Sequence, residues 1–298
     1  MNLTGLHLLL TYQCTYECDH CFAWGSPRQS GTMTLDAVQR ILQQARELET
    51  IEWIYFEGGE PFLYYAPLVR SVRRAFDMGF KVGIVTNAYW ATTVEDAVEW
   101  LRPLAGKISD LSVSSDLYHA SERLSLQARN AEDAARQLKI PLGIVSIATP
   151  GTAAAEDVIG KLPPGESSVR FRGRAVEKLV DRAALGDCGT FTSCPYENLR
   201  EPDRLHVDPF GFLHLCQGIT IGNLFERPLI DICSRYDPLV HPIAGALLAG
   251  GPMELARRYG LAHRSRYADA CHMCTELRRG LRERFPEILA PAQMYGVV

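Results

Sequence analysis

Apolar and polar positions along residues 1–185 follow two alternating patterns. Short apolar segments, rich in β-branched and aromatic residues, are separated by longer segments in which apolar residues recur at helical spacing. The short segments predict six strands, over residues 5–11, 51–56, 81–85, 110–114, 141–147 and 168–172. The longer segments predict helices over residues 35–48, 66–78, 94–104 and 120–138, with Thr34 capping the first and Gly79 ending the second.

Strands that alternate with helices predict a parallel sheet with right-handed crossovers. Six such units predict an α/β fold, a partial (β/α)6 barrel of the TIM type. Residues 186–203, rich in Gly, Pro and polar side chains, interrupt this pattern and lead into short strands and cysteines. We therefore expect a barrel domain over residues 1–185 and a smaller cysteine-rich C-terminal domain over residues 186–298. The active site is expected at the carboxyl ends of the strands.

Composition and charge narrow the classes of protein that fit this pattern. The chain has 298 residues, a formal net charge of -4 and no long basic run, so we expect no nucleic-acid partner. The N-terminus lacks the basic region and the long apolar run of a signal peptide, and no apolar segment approaches the roughly 20 residues of a membrane span. We therefore expect a cytoplasmic protein without a membrane partner.

The nine cysteines change the picture, because an odd number does not suit a closed disulfide framework. Metal ligation is the better explanation for so many thiols in a protein expected to be cytoplasmic. Three cysteines lie between positions 14 and 21, and the other six follow from Cys188 onward. This distribution predicts two metal regions on two domains.

The first cysteines have the spacing C-x3-C-x2-C directly after the first predicted strand, at Cys14, Cys18 and Cys21. Three thiolates on a tight loop can each bind one iron of a 4Fe-4S cluster and leave the fourth iron open for a reactive ligand. Electron-carrying ferredoxins use four thiolates, and structural zinc usually closes its shell with four ligands. The alternative is a chance group of thiols.

The segment FEGGEP follows the second predicted strand. Gly58 and Gly59 allow a close approach of the backbone to a ligand, and Glu60 can accept a hydrogen bond from an ammonium group. Alone, this segment could be a simple tight turn.

Together, the C-x3-C-x2-C and GGEP segments resemble the radical S-adenosylmethionine (radical SAM) superfamily. In that family the open iron chelates the amino and carboxylate groups of S-adenosylmethionine, and the Gly-Gly-Glu turn binds its amine. The resemblance implies a 4Fe-4S cluster and S-adenosylmethionine as cofactors. It also implies that Cys14, Cys18 and Cys21 are catalytic cluster ligands and that Gly58, Gly59 and Glu60 contact the cofactor. The residue before the third cysteine is usually aromatic in the family and is His20 here.

Two further segments resemble the same family in strand order. Thr86 and Asn87 end the third predicted strand in a segment similar to the family's Thr-Asn-Gly turn, although Ala88 stands in place of the glycine. Ser114 and Asp116 end the fourth and resemble the Ser-x-Asp that binds the ribose hydroxyls. We add Arg174, which follows the sixth predicted strand, as a candidate substrate or cofactor contact.

The C-terminal half resembles the auxiliary-cluster domains called SPASM and, in shorter form, twitch. HVDPFGFLHLCQG and IGNLFERPLIDI are similar to the hairpin and helix that open these domains. The family pattern of a cysteine, then G-x4-C, then C-x2-C is matched by Cys194, Gly211 with Cys216, and Cys271 with Cys274. The resemblance implies one auxiliary 4Fe-4S cluster on these four cysteines.

Some alternatives stay open in this half. Cys188 is a rival fourth ligand, because some relatives use C-x5-C at this place, and Cys233 has the helical apolar surroundings of a buried thiol. Four thiolates would also suit zinc.

By the resemblance, the chain is expected to cleave S-adenosylmethionine reductively to a 5'-deoxyadenosyl radical that abstracts hydrogen. An electron donor such as flavodoxin or ferredoxin is then required. Relatives modify peptides or oxidise small-molecule alcohols, and we place peptide or protein modification slightly ahead. The first cluster cysteine is residue 14, so a leader-binding domain is not expected before it, which tempers the peptide hypothesis. A hypothesis of another class is a non-catalytic iron-sulfur electron carrier.

Overall fold

One eight-stranded sheet organises the computed structural model, which describes residues 1–151, 159, 160, 162 and 167–297. The strand order in the sheet is β5-β4-β3-β2-β1-β7-β8-β9, and a separate pair joins β6 to β10. The strands are β1 Gly5–Thr11, β2 Trp53–Gly58, β3 Lys81–Thr86, β4 Asp110–Ser114, β5 Leu142–Val145, β6 Gly186–Asp187, β7 Arg204–Val207, β8 Phe212–Cys216, β9 Ile219–Asn223 and β10 Arg266–Tyr267.

Helices follow most strands of the first half and enclose the second. The α-helices are α1 Leu35–Glu47, α2 Tyr65–Asp77, α3 Val94–Leu101, α4 Leu126–Gln137, α5 Ala175–Lys178, α6 Leu229–Arg235, α7 Pro242–Tyr259 and α8 Ala270–Leu281. Short 3-10 helices lie at Pro61–Tyr64, Arg102–Leu104, Val180–Arg182, Cys188–Thr190 and Ala292–Tyr295. Thr34 caps α1 by accepting a hydrogen bond from the amide of Ala37, as predicted.

The parallel half of the sheet has an apolar face and a polar face. Leu6, Leu8 and Leu10 of β1 are fully buried in a core that includes residues of α1 and α2. Since successive strand residues point to opposite faces, His7 lies on the other side. We call that side, which also carries Tyr55, Glu57 and His206, the inner face. The apolar side chains of these strands therefore face the helices, and the polar side chains lie together on the inner face.

The α/β class is confirmed, and β1 and β4 have the predicted bounds. The sixth predicted strand, residues 168–172, is wrong, because this segment has no strand in the structure. Its amide at Phe171 donates to the side chain of Asp269 at 3.1 Å rather than to a neighbouring strand. Gly173 then turns the chain with a φ of 60°. The alternating arginines resemble a strand pattern, but Arg170 and Arg172 pair with Glu197 and Arg174 donates to the carbonyl of Cys18.

The C-terminal half continues the same sheet. Strand β7 pairs in parallel with β1, and β8 and β9 follow in antiparallel order. Asp269 caps α8 by accepting from the amide of His272 at 2.7 Å, which fixes the helical turn that carries Cys271 and Cys274. Within the described part of the chain, no helix is both long and apolar enough to cross a bilayer.

Candidate active site and metal centres

The segment that we call the cysteine loop, residues 14–21, begins three residues after β1 ends. The amide of Cys14 donates to the carbonyl of Ser26 at 3.0 Å, and the amide of Cys21 donates to the carbonyl of Cys18 at 3.1 Å. Burial raises the pKa of the Cys14 thiol to about 12, and it also raises the pKa of Cys18 with help from the neighbouring thiols. These thiols would ionise easily only beside a cation.

The surroundings of the thiols fit an iron-sulfur cluster. The amide of Gly25 donates to the Cys21 sulfur at 3.2 Å, and the amide of Tyr16 donates to the Cys14 sulfur at 3.4 Å. A Cβ at Gly25 would lie 3.4 Å from the Cys14 Cβ and 3.6 Å from the Cys21 sulfur, so a side chain would crowd the space between the two thiols. Three thiols with amide donors to sulfur are the donor set that such a cluster uses.

Arg174 holds the cysteine loop from outside. Its guanidinium is nearly fully buried and donates to the carbonyls of Cys18 and Gly25, both at 2.8 Å. Its own amide donates to the carbonyl of Cys21 at 3.0 Å. These bonds give Arg174 a positioning role on the loop backbone, and its predicted contact with substrate or cofactor stays a prediction.

The two glycines of the GGEP segment let β2 run on beside the cysteine loop. A Cβ at Gly58 would lie 2.4 Å from the carbonyl oxygen of Thr11, and one at Gly59 would lie 2.1 Å from that of Gln13. The amides of Gly59 and Glu60 donate to these same two carbonyls, at 2.7 and 2.8 Å. Only glycine permits this close contact between the two backbones, which brings Glu60 next to the loop.

The Glu60 carboxylate is fully buried and accepts three hydrogen bonds. They come from the amide of Phe62 at 3.0 Å, the hydroxyl of Thr86 at 2.8 Å and the amide of Asn87 at 2.8 Å. Burial raises the pKa of Glu60 from 4.5 to about 7, against the opposing effect of these donors. A carboxylate offers about four acceptor positions, so one remains for another donor.

Thr86 and Asn87 join Glu60 to the cysteine loop. The side-chain amide of Asn87 donates to Thr15 Oγ1 at 3.0 Å and approaches the Cys14 sulfur at 3.5 Å. Ala88 has a φ of 56°, in the left-handed region where the family's glycine would be unstrained. The structure thus brings together the predicted site residues that follow β1, β2 and β3.

Ser114 ends β4, and Asp116 follows it on the same edge of the sheet. Asp116 accepts from His119 Nδ1 at 2.8 Å, from the amide of Tyr118 at 3.0 Å and from the amide of Ile147 at 3.1 Å. Burial acts to raise the pKa of Asp116, but His119 outweighs it and the pKa is lowered. Asp116 is therefore a buried, ionised carboxylate beside the cysteine loop, while Ser114 is half-buried.

A second group of thiols lines a small cavity in the C-terminal half. The four cysteines at its wall are Cys194, Cys216, Cys271 and Cys274. Burial raises the pKa of Cys271 and Cys274, the latter to about 12. A cavity walled by four half-buried thiols fits a tetrathiolate metal centre. Cys188 is not among the described residues that line this cavity, and Cys233 is buried in α6.

Two arginines flank the cavity. Arg172 lies 3.7 Å from the Cys216 sulfur and donates to Glu197 at 2.7 Å, and the buried Arg278 donates to the carbonyl of Gln217 at 2.8 Å. Their positive charge would offset part of the negative charge of four thiolates.

A third group of polar side chains, which the sequence motifs do not indicate, lies on the inner face. His7 and His206 both approach Glu57 Oε1, at 3.2 and 3.0 Å. The alternation within GLHLLLT and WIYFEG would have placed His7 and Glu57 on one face. The pairing of β7 with β1, which adds His206, had no signal in the sequence.

Comparisons with known proteins bear on this site. Residues 8–116 match the family model of the radical SAM superfamily. YydG of Bacillus subtilis (strain 168), named as a peptide biosynthesis protein, is 25% identical over 129 residues, which are 43% of this chain and 40% of YydG. An S-adenosylmethionine-dependent nucleotide dehydratase of Fibrobacter sp. (strain UWH6) is 26% identical over 151 residues, which are 48% of this chain and 43% of that protein. The chain thus spans less than half the length of these relatives.

The crystal structure of BtrN in complex with AdoMet and 2-DOIA has a similar fold. Its TM-score is 0.51 at 16% identity, over 83% of this chain and 88% of BtrN. The matched residues 8–116 contain the cysteine loop, Glu60, Asn87 and Asp116, which the fold brings to one edge of the sheet. Residues 8–116 therefore form a domain of the radical SAM superfamily.

Proposed function

We propose that this enzyme modifies a side chain of a peptide or protein by a radical mechanism. When bound at the cysteine loop, the cluster and S-adenosylmethionine supply a 5'-deoxyadenosyl radical, which abstracts hydrogen from the substrate. The observation that carries the cofactor assignment is the hydrogen-bond chain from Glu60 through Asn87 to Thr15 and the Cys14 sulfur. These hydrogen bonds hold the carboxylate that would bind an ammonium group next to the thiols that would bind the cluster.

The residues of the chain take the following parts. Cys14, Cys18 and Cys21 would hold the cluster, and Glu60 would accept from the cofactor's ammonium at its remaining acceptor position. Thr86 and Asn87 hold the Glu60 carboxylate in place, and the glycines at 58 and 59 allow its approach. Ser114 and Asp116 are proposed contacts of the ribose hydroxyls. Arg174 keeps the cysteine loop in shape.

The second cysteine group is proposed to hold one auxiliary 4Fe-4S cluster in a twitch-like domain over residues 186–298. The cavity walled by Cys194, Cys216, Cys271 and Cys274 supports this proposal. Four thiolates leave no open iron, so this cluster would transfer electrons rather than bind substrate. A flavodoxin or ferredoxin is the proposed external electron donor.

Two kinds of substrate have support. The similarity to YydG favours a peptide, while the similarity to the nucleotide dehydratases favours a small molecule such as a nucleotide. Dehydrogenation of a small-molecule alcohol stays an alternative. Both substrates require the same cofactor site. A non-catalytic electron carrier would have no use for a buried carboxylate beside an incomplete set of cluster ligands.

Cofactor cleavage tests the core of the proposal. Anaerobically reconstituted, dithionite-reduced protein should slowly cleave S-adenosylmethionine to 5'-deoxyadenosine and methionine in the absence of substrate. Cys18→Ala should abolish cleavage, and Cys233→Ala, a matched change of a buried thiol outside both cysteine groups, should leave it intact. Protein with full iron content that neither cleaves the cofactor nor changes its spectrum on adding it would refute the proposal.

Substrate class can be tested separately. A short peptide encoded beside the gene should accelerate 5'-deoxyadenosine formation and change in mass in an S-adenosylmethionine-dependent way. Nucleoside triphosphates should produce neither effect. The reverse result would favour the small-molecule alternative and leave the cofactor assignment intact.

A further inference from the structure

His7, Glu57 and His206 form a compact group that the radical mechanism does not use. They come from β1, β2 and β7, which are neighbours in the sheet. His7 is the register partner of His206, and Leu9, two residues along β1, is the partner of Glu57. Strand alternation therefore directs all three side chains to the inner face. Regular backbone fixes their positions, as is typical of a preorganised binding site.

The distances within this group suit metal ligands. His7 Nδ1 and His206 Nε2 lie 3.2 and 3.0 Å from Glu57 Oε1, and all three ligand atoms lie within 4.8 Å of one another. Ligands bonded to zinc at about 2.1 Å are separated by about 3.0 Å in octahedral geometry and about 3.4 Å in tetrahedral geometry. Both observed distances fall between these two values.

Burial and charge also favour a cation. The Glu57 side chain is 11% exposed, and the side chains of His7 and His206 are 18% and 17% exposed. Burial acts to raise the pKa of Glu57, but the two histidines outweigh it and hold the pKa well below its usual range. The group thus provides one carboxylate and imidazole nitrogen donors.

The group lies next to the cofactor site. Glu57 immediately precedes the glycines of the GGEP segment, and the His206 ring packs edge-on against Phe22 at 5.9 Å between centroids. Phe22 in turn follows Cys21. Anything bound at the group would therefore sit beside the cysteine loop.

We propose that His7, Glu57 and His206 bind one divalent transition-metal ion, best represented by zinc. Three protein ligands leave coordination positions open, as in catalytic zinc sites, and those positions would take an oxygen atom of the substrate, such as a carbonyl, carboxylate or hydroxyl group. The ion would anchor the substrate near the site of hydrogen abstraction. This inference goes beyond the proposed function and does not depend on its substrate, because the site can be tested without substrate or cofactor.

The test uses the iron-reconstituted protein. After incubation with zinc chloride and desalting, zinc and iron are measured by mass spectrometry, and the zinc environment is measured by X-ray absorption. We expect about one retained zinc per chain, unchanged iron and a shell of nitrogen and oxygen at about 2.0 to 2.1 Å. A shell with sulfur at about 2.3 Å would overturn the proposal, because the zinc would then lie at cysteines. Failure to retain zinc would also overturn it and leave a hydrogen-bonded triad.

Variants identify the ligands. Glu57→Gln and His206→Gln should each weaken zinc binding by about 100-fold or more, since loss of an outer-shell partner alone costs 10- to 100-fold. Glu52→Gln is the matched control, because Glu52 is an exposed carboxylate just before β2 that pairs with Lys81. Zinc retained by Glu57→Gln but lost from His119→Gln would overturn the proposal in favour of the His20, Asp116 and His119 group. If a variant fails to fold, the atoms that surround zinc in the wild-type protein, measured by X-ray absorption, decide whether the proposal stands.

Discussion

Glu60→Gln is the sharpest test of the cofactor site, because it changes one charge and keeps the shape of the side chain. The carboxylate is predicted to accept a charge-assisted hydrogen bond from the ammonium of S-adenosylmethionine, worth roughly 1.5 to 3 kcal/mol. Its loss should weaken cofactor binding by about one to two orders of magnitude. Iron content should stay unchanged, because Glu60 touches the cysteine loop through Asn87 rather than through a thiol.

Glu60→Gln weakens cofactor binding, but it should stabilise the cofactor-free protein relative to the wild type at high pH. Burial raises the pKa of Glu60 to about 7, so the folded state favours the protonated carboxyl. The contribution of Glu60 to the free energy of unfolding is largest below about pH 4.5 and is lost as the pH rises through 7. The difference between these two pKa values corresponds to about 3 kcal/mol as an upper bound. Wild-type stability should therefore fall between pH 5 and 8 more steeply than that of Glu60→Gln.

Cofactor binding should show the matching pH dependence. Below about pH 7 the Glu60 carboxyl must lose a proton before it can pair with the ammonium, so wild-type affinity should fall as the pH decreases from 8 to 6. Glu60→Gln should lack that part of the dependence.

Affinity is measured anaerobically from the change in the electron paramagnetic resonance spectrum of the reduced cluster, at matched iron content. Denaturant unfolding of the cofactor-free protein gives the stability. Glu52→Gln, an exposed carboxylate far from the thiols, is the control. Wild-type affinity in Glu60→Gln at pH 8, with full iron content, would remove Glu60 from the cofactor site.

Three further predictions concern the metal centres. Wild-type protein should carry about eight irons per chain when reconstituted, and alanine at all three positions of the cysteine loop should leave about four and no cleavage of S-adenosylmethionine. Substituting Cys271 and Cys274 should remove the auxiliary iron, whereas Cys188→Ala should retain it. Iron analysis distinguishes these outcomes. Zinc bound at the second cysteine group would contradict the auxiliary iron-sulfur cluster. Arg174→Lys should lower iron retention at the cysteine loop, because one ammonium cannot span the two carbonyls that the guanidinium bridges. Arg40→Lys, at an exposed position of α1, should leave iron retention unchanged.

Sequence located the parts of the site that depend on local signals. The short apolar segments at residues 5–11 and 110–114 predicted the bounds of the first and fourth strands. Motifs at strand ends had to meet because parallel strands present their carboxyl ends on one edge. Cys194, Cys216, Cys271 and Cys274 were chosen from a resemblance in spacing, and they line one cavity. Their metal stays a prediction.

Other features depend on contacts between distant residues. Asp116 accepts a hydrogen bond from the amide of Ile147, 31 residues away, and the Ser-x-Asp segment does not indicate that partner. Likewise, β7 pairs with β1 across nearly 200 residues, and nothing in either segment specifies that pairing. For this reason, the sequence does not indicate that His206 joins His7 and Glu57 on the inner face.

Residues 170–174 illustrate how a strand-like pattern can serve another purpose. A strand would have placed Arg170, Arg172 and Arg174 on one face. Instead, the turn at Gly173 sends Arg172 toward Cys216 and Arg174 onto the carbonyl of Cys18. A Cβ at Gly173 would lie 2.4 Å from the carbonyl oxygen of Cys21, so the turn packs directly against the cysteine loop. This five-residue segment therefore contacts the backbone of the cysteine loop through Arg174 and a thiol of the second group through Arg172.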